Sequence, residues 1–401
     1  MCSLERVGGR PGPVRDGGHR VRTVLAMSEA LPTTTSEITA EWLTEALHGS
    51  GTLPSGSTVS AVRIDPQAGG VGFMGEVGKL VLTVGGDPGR VPSEMIAKFA
   101  TQNPELREMM RPTRVFEREH RFYEVLNDVT PLRTPDVYHV TCNPSDDPAV
   151  PEEYLLLMED LSAMTEGDQV AGVTPERAEV ALRGLARHHA HFWGGARLDG
   201  LDFVPVINGP LNQAGKAIYE ASYPGFREAF AETLQPEMLP VAEQWPEHCI
   251  ALLDRLAAMP HTLVHFDFRA DNLFFDVTPG APLDDQLAVI DWQAIARGGG
   301  AYDVGYFLSQ NLSTEDRRAH EDDLLHAYHD ALGAGGVTGY DFDQLVADYR
   351  VGMMYGWVIP VLAVGSLDFT SERAVQLWTN VIERAQDAIF QHGAHELIVG
   401  G

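Results

Sequence analysis

A short segment and one downstream aspartate combine the residue types needed for phosphoryl transfer. Residues 265–272 read His-Phe-Asp-Phe-Arg-Ala-Asp-Asn, and the apolar run 287–290 is followed by Asp291. At this spacing the Asp267 carboxylate can accept the proton of an attacking hydroxyl. The oxygens of Asn272 and Asp291 can hold Mg²⁺ against nucleotide phosphates. The alternative is an Asp- and Asn-rich turn between two strands, which needs no partner motifs elsewhere in the chain.

A glycine-rich segment upstream is typical of a flap over phosphate groups. Gly70, Gly72 and Gly75 follow the pattern G-x-G-x-x-G-x-V, which ends at Val77. Glycine lets the backbone approach phosphate oxygens closely and adopt a positive φ. Dinucleotide-binding folds share part of this pattern, but there it opens a helix. Residues 79–84 are instead rich in strand-forming residues, so the sequence predicts a β-hairpin with the glycines near its tip.

One lysine in a short apolar strand is the expected cation for the phosphates. Lys98 follows Met-Ile-Ala at positions 95–97, where a charge is costly to bury unless it is paired. The next predicted helix supplies Glu117 and Glu119. Either carboxylate could reach Lys98, and we favour Glu119. A strand-end lysine in solvent is the alternative.

In this order, the motifs resemble those of the aminoglycoside phosphotransferase and choline kinase superfamily, and within it the ecdysteroid-kinase-like branch. The resemblance spans about residues 60–310. Besides the segments above, it is carried by Glu119-x-x-Phe122-Tyr123 and by the segments 154–161, 185–193 and 301–308. Segment 154–161 resembles the hinge strand whose backbone holds the adenine in this family. The resemblance therefore places Met158 beside the adenine ring of the nucleotide.

The resemblance implies an α+β, protein-kinase-like fold with two lobes. We expect a nucleotide-binding N-lobe at residues 37–158, with an antiparallel sheet plus helix. A mainly helical C-lobe at residues 159–401 would carry the catalytic loop and the acceptor site. The implied activity is an ATP- and Mg²⁺-dependent phosphotransferase acting on a hydroxyl of a small molecule, with Asp267 as catalytic base. The implied nucleotide-binding residues are Gly70, Gly72, Gly75, Lys98, Glu119 and Met158, and the metal ligands are Asn272 and Asp291.

Two other functions stay open from the sequence. An antibiotic-inactivating phosphotransferase of the aminoglycoside type would share the loop, and a nucleotide-binding pseudokinase would share the fold. A pseudokinase usually lacks at least one of the site's functional residues, whereas all four are present here: Lys98, Asp267, Asn272 and Asp291. The chain departs from the family at Phe266, where the family usually has glycine. An aromatic ring at this position can narrow the approach to the catalytic carboxylate.

The C-terminal part indicates two different classes of acceptor. Between residues 311 and 350, nine acidic residues stand against three arginines. This run would suit a polyamine-like antibiotic, or it forms a solvated helix face. Directly after it, Met353, Met354, Tyr355 and Trp357 would suit an apolar alcohol such as a sterol, or they pack in the core.

The composition is typical of a globular protein, and it excludes some classes of binding partner. The 401 residues are 44% hydrophobic and 21% charged, and no apolar run approaches the ~20 residues of a membrane-spanning helix. The net charge of −28 argues against nucleic acid and anionic membranes as partners. Three widely spaced cysteines predict reduced thiols in a cytoplasmic protein. Residues 1–36 predict a disordered tail, followed by a first helix at 38–47. The sequence does not indicate an oligomeric state.

Overall fold

The chain folds into an antiparallel sheet near its N-terminal end, followed by a mainly helical part, as predicted. The computed structural model describes residues 31–72, 75–145, 153–278, 280–281, 286–366 and 371–400. The strands are β1 (Thr58–Gly72), β2 (Gly75–Gly85), β3 (Glu94–Phe99), β4 (Val137–Asn143), β5 (Glu153–Met158), β6 (Thr165–Glu166), β7 (His261–Val264), β8 (Leu273–Phe275), β9 (Leu287–Val289) and β10 (Ala296–Gly299). The helices are α1 (Ala40–Gly49), α2 (Pro104–Met110), α3 (Val115–Arg121), α4 (Pro175–His191), α5 (Pro210–Ala229), α6 (Met238–Ala258), α7 (Ala301–Asn311), α8 (Thr314–Ala334), α9 (Phe342–Gly356), α10 (Val358–Ser366), α11 (Glu372–Gln391) and α12 (Glu396–Val399).

The N-lobe sheet has five strands in the order β1-β2-β3-β5-β4, and all neighbouring strands are antiparallel. Successive residues of a strand face opposite sides, and β5 is buried on both. Leu155 and Leu157 pack in a core with Trp42 of α1. Leu156 and Met158 belong to the larger core, which also includes the buried side chains of the C-lobe. Burial on both faces explains why this strand is an uninterrupted apolar run in the sequence.

The predicted glycine hairpin is confirmed by the pairing of β1 with β2. Gly72 lies opposite Gly75 at the end of this ladder, and the tip residues 73–74 lie outside the described residues. A Cβ added to Gly75 would collide with the backbone carbonyl of Phe99 in β3. Glycine at position 75 therefore lets β2 approach β3, the strand that carries Lys98.

The first helix begins two residues later than predicted. Thr39 is its N-cap, since the Thr39 hydroxyl accepts the backbone N–H of Trp42 at 3.1 Å. Just before it, the backbone N–H and hydroxyl of Thr35 both donate to Glu76 of β2. The tail assignment is thus corrected for residues 31–36, which contact the sheet, while residues 1–30 lie outside the described part. We propose that the N-lobe begins at about residue 31, and its boundary with the C-lobe at residue 158 stays a proposal.

The C-lobe surrounds helix α7, which is buried along its whole length. The apolar stripe that follows the acidic run belongs to this core, because Met353, Met354, Tyr355 and Trp357 are at most 3% exposed. Most acidic residues of the run instead face solvent from α8 and the start of α9. Within the described part of the chain, no helix is long and apolar enough to cross a membrane.

Candidate active site

The segment 265–272 is a loop between β7 and β8, and a buried carboxylate holds its start. The two oxygens of Asp303, in the first turn of α7, accept the backbone N–H groups of His265 and Phe266 at 2.8 and 2.9 Å. His189 of α4 contacts the same carboxylate at 3.2 Å. Asp303 is fully buried, so these donors satisfy a charge that would be costly alone. A single side chain therefore determines how the loop leaves β7.

The Asp267 carboxylate lines the cleft between the lobes and has three neighbouring donors. Its Oδ2 accepts the Asn272 side-chain amide at 3.0 Å and the Arg269 Nε–H at 3.4 Å. Its Oδ1 accepts the hydroxyl of Tyr306 in α7 at 3.3 Å. Burial raises the pKa of Asp267, against the opposing effect of the Arg269 charge. The carboxylate is thus held in one orientation and binds a proton more readily than an exposed aspartate.

Lys98 links the two lobes through two carboxylates. Its Nζ lies 2.9 Å from Oε1 of Glu119 in α3 and 2.9 Å from Oδ1 of Asp291, which follows β9. Glu119 is 1% exposed and also accepts the Tyr154 hydroxyl at 2.7 Å. Burial lowers the pKa of Lys98, but the two carboxylates outweigh it and leave that pKa above its usual value. Glu117, the alternative considered from the sequence, faces Arg114 instead.

Asp291 lines the same cleft, and the buried Asn272 lies next to the end of β9 that leads into Asp291. The backbone carbonyl of Asn272 accepts the N–H of Ile290, so the loop and the end of β9 are joined directly. The Asn272 amide nitrogen is turned toward Asp267, and no donor among the described residues bonds its Oδ1. Asp291 accepts from Lys98 and from the Gln293 amide. These all-oxygen donors fit a hard divalent cation such as Mg²⁺.

The cleft has a volume of about 1020 Å³, and its lining divides into two chemical regions. One region is apolar and includes Val77, Ile96, Met158, Leu161, Phe274 and Ile290. The charged residues of the lining are Lys98, Glu119, Glu159, Asp160, Glu166, Asp267, Arg269 and Asp291. Gly75 also lines the cleft, whereas Gly70 and Gly72 lie in β1 opposite Val77 and Gly75. Asn272 is 3% exposed and lies behind Asp267.

Sequence reasoning missed two polar residues of the site. Arg269 lies in the loop itself and donates to the carboxylates of Asp267 and Asp271. Its position two residues after Asp267 was a usable signal. Tyr306 lies in the segment 301–308 and was not predicted as a site residue, yet its hydroxyl reaches Asp267. Its position three residues after Asp303 places both on one face of α7, which is the only sequence signal for it.

The backbone at two site positions is left-handed. Among the described non-glycine residues, φ is positive at Arg114, Phe266 and Asp291, with values of 51°, 70° and 67°. Residues other than glycine rarely adopt this backbone conformation, and those that do cluster at functional sites. Phe266 thus occupies, with an aromatic side chain, a position whose conformation favours glycine. This explains why glycine is usual after the loop histidine.

A sheet with a glycine hairpin, a lysine paired across the lobes and a loop that presents a carboxylate define a kinase-like phosphotransferase fold. Comparison with known families agrees. The chain belongs to the ecdysteroid kinase-like family, whose family model matches residues 69–335. No curated protein matches the chain in sequence.

Solved structures of small-molecule phosphotransferases are similar to this chain at low sequence identity. An amicoumacin kinase in complex with AMP-PNP, Ca²⁺ and Ami is 12% identical, with a TM-score of 0.50 over 80% of this chain and 89% of that one. Choline kinase from Cryptosporidium parvum Iowa II is 12% identical, with a TM-score of 0.48 over 83% and 91%. Wild-type aminoglycoside 2'-phosphotransferase-IIIa in its GDP complex is 12% identical, with a TM-score of 0.48 over 83% and 94%. At these identities, the similarity concerns the fold alone.

Proposed function

We propose that this protein transfers the γ-phosphate of ATP to a hydroxyl group of a small molecule, with Mg²⁺ as cofactor. The observation that carries the proposal is the convergence of charged groups in one cleft. Lys98 bridges Glu119 and Asp291, and the Asp267 carboxylate lines the same cavity. Phosphoryl transfer requires positioning and charge neutralisation more than covalent chemistry, and these groups supply both.

The apolar region of the cleft suits the adenine. Val77, Ile96 and Met158 form one wall, and Ile290 lines the opposite side. The backbone N–H of the buried Leu161 forms no hydrogen bond within the described residues, so it is available to an adenine nitrogen. With the base there, the phosphates extend toward Lys98 and the glycine hairpin.

Asn272 and Asp291 are the proposed metal ligands. The Oδ1 atom of Asn272 has no other partner among the described residues, and Asp291 presents two carboxylate oxygens beside Lys98. When bound, Mg²⁺ neutralises phosphate charge and orients the γ-phosphate. Lys98, which bridges Glu119 and Asp291, would also contribute its charge to the phosphates.

Asp267 is the proposed general base. Its raised pKa, caused first by burial, suits a group that must accept the proton of an alcohol during transfer. Asn272 and Tyr306 hold the carboxylate from two sides, so it keeps its orientation while the acceptor arrives. Such a base contributes roughly 10²- to 10⁴-fold to the rate.

The lining beside Asp267 favours an apolar alcohol as acceptor over a polycationic antibiotic. Phe266 and two residues of α10, Ile359 and Leu362, supply apolar surface to the cleft. The exposed acidic residues of α8 do not line it. Of the three carboxylates that line the cleft away from the catalytic group, Glu159 pairs with Arg133 and Asp160 pairs with Lys79, which leaves Glu166 without an ion pair among the described residues. The sterol-like alternative therefore fits better than the aminoglycoside-like one.

The decisive test measures binding and transfer separately. ATP with Mg²⁺ should raise the melting temperature, and Asp291→Ala should remove the part that depends on Mg²⁺. Purified protein should then consume ATP with members of a panel of apolar alcohols, and Asp267→Asn should abolish this consumption while Mg·ATP still binds. Asp271→Asn, in the same loop, is the matched control and should keep substantial activity.

Each result has a distinct meaning. Equal stabilisation by ATP with and without Mg²⁺ contradicts the metal site. Mg·ATP binding without transfer to any panel member favours the pseudokinase. Transfer to aminoglycosides but not to apolar alcohols contradicts the proposed acceptor class.

A further inference from the structure

Phe266 joins a strained backbone to an aromatic side chain in the catalytic cleft. Its φ of 70° lies in the left-handed region, which glycine adopts without strain. Its ring is only partly buried and lines the cleft next to Asp267. A glycine would relieve the backbone, so the side chain must supply something that glycine cannot.

The backbone conformation at this position is imposed from outside. Asp303 accepts the N–H groups of His265 and Phe266 simultaneously, at 2.8 and 2.9 Å. Any residue at position 266 must therefore adopt the same conformation to keep both bonds. Strain of this kind persists only where the surroundings overdetermine it, which is the situation here.

An aromatic stack connects this ring with the catalytic carboxylate. The Phe266 ring lies 4.5 Å from the ring of Tyr302, with an angle of 24° between their planes. Tyr302 stacks in turn on Tyr306 at 6.1 Å and 19°. The Tyr306 hydroxyl donates to Oδ1 of Asp267 at 3.3 Å. The Phe266 ring is thus fixed relative to the oxygen that an acceptor must approach.

We propose that Phe266 is a specificity-determining residue of the acceptor site, an inference that rests on the proposed function. Its ring lets an alcohol reach Asp267 when the apolar part of that alcohol packs against Phe266 and α10. Water and small polar alcohols gain no such contact and are excluded. The ring therefore suppresses futile hydrolysis, in which water attacks the γ-phosphorus, the bond to the β–γ bridging oxygen breaks, and the water proton passes to Asp267 as ADP and inorganic phosphate form.

The test uses water and glycerol as probes, so it needs no identified acceptor. Phe266→Gly removes the ring and the strain, whereas Phe266→Ala removes the ring and keeps the strain. Hydrolysis of Mg·ATP without acceptor should rise by at least about tenfold in both variants, a fraction of what a general base contributes. Glycerol should also become a phosphoryl acceptor. The affinity for Mg·ATP, measured by calorimetry, should change by less than about twofold, because the ring lies on the acceptor side.

Phe268→Leu is the matched control, because Phe268 is an aromatic residue of the same loop that is fully buried in the core. This variant should keep the hydrolysis rate of the wild type. An equal rise in Phe268→Leu would assign the effect to general loosening of the loop and overturn the inference. Unchanged hydrolysis in both Phe266 variants, with Mg·ATP bound normally, overturns it while leaving the proposed function intact. Failure of the wild type to bind Mg·ATP overturns both.

Discussion

Replacing Lys98 by methionine should destabilise the protein by an amount that depends on pH. Oε1 of Glu119 and Oδ1 of Asp291 both lie 2.9 Å from the Lys98 Nζ, so they are at most about 6 Å apart. At an effective dielectric constant of about 20, two unit charges at that distance repel by about 3 kcal/mol. Removing one partner of a buried ion pair costs a similar amount, about 3–5 kcal/mol.

The pH dependence follows from the carboxylate that stays buried. Burial raises the pKa of Glu119, the Asp291 charge adds to this, and the opposing effect comes mainly from Lys98, with a smaller one from the Tyr154 hydroxyl. Without Lys98, Glu119 takes up a proton as the pH falls, and the repulsion from Asp291 disappears. The loss of stability should therefore be full at pH 7.5 and clearly smaller at pH 5.5. Thermal unfolding should show a fall in Tm of roughly 3–6 °C at the higher pH.

Lys79→Met provides a matched control. Lys79 also bridges two carboxylates, Glu94 and Asp160, each at 2.7 Å. Glu94 is 48% exposed, so water screens the charges that remain after the substitution. The control should lose less stability, and its loss should hardly vary between the two pH values. Equal losses in the two variants, or a Lys98→Met loss that does not shrink at pH 5.5, would refute the reasoning.

Three further predictions concern single contacts. Tyr306→Phe should slow transfer to the acceptor about tenfold, as expected for loss of one charge-assisted hydrogen bond. Tyr302→Phe should leave the rate nearly unchanged. Equal effects of the two substitutions in a steady-state assay would exclude orientation of Asp267 by the Tyr306 hydroxyl. Glu119→Gln should impair turnover more than Glu117→Gln, because Glu119 pairs with Lys98, whereas Glu117 pairs with the exposed Arg114. The reverse order would contradict the Lys98 pairing. Burial lowers the pKa of His139 to about 4, so the free energy of unfolding of the wild type should fall by up to about 3 kcal/mol as the pH drops from 6.5 to 4. In denaturant titrations, His139→Leu should lose less stability over that range. Equal losses in the wild type and the variant would contradict a role of His139 in the acid sensitivity.

Local patterns were enough to predict the parts of the fold that depend on nearby residues. The hairpin β1–β2 follows from glycines between two strand-forming runs, and the pairing confirms it. The buried lysine in β3 follows from an apolar strand with one charge. The first helix was predicted as well, but its start was wrong by two residues. Such boundary errors arise because a cap is decided by one side-chain hydrogen bond.

Contacts between distant parts of the chain were not predictable in the same way. Lys98 meets Asp291 across 193 positions, and Tyr306 meets Asp267 across 39. No periodicity encodes such contacts. The left-handed backbone at Phe266 is also invisible to composition, because propensity predicts glycine or asparagine there. Only Asp303, placed by tertiary packing, explains why phenylalanine adopts that conformation.

The third glycine of the hairpin motif has a consequence for recognising degenerate members of this family. Gly75 lies where any Cβ would strike the Phe99 carbonyl, so sheet packing alone is sufficient to retain it. A descendant that had ceased to bind nucleotides would still need glycine there for β2 to reach β3. A glycine found at this position of the motif therefore indicates an intact sheet and does not indicate catalytic activity. Loss of activity in a relative would be visible first at charged positions such as Lys98 and Asp267, which carry no comparable backbone constraint.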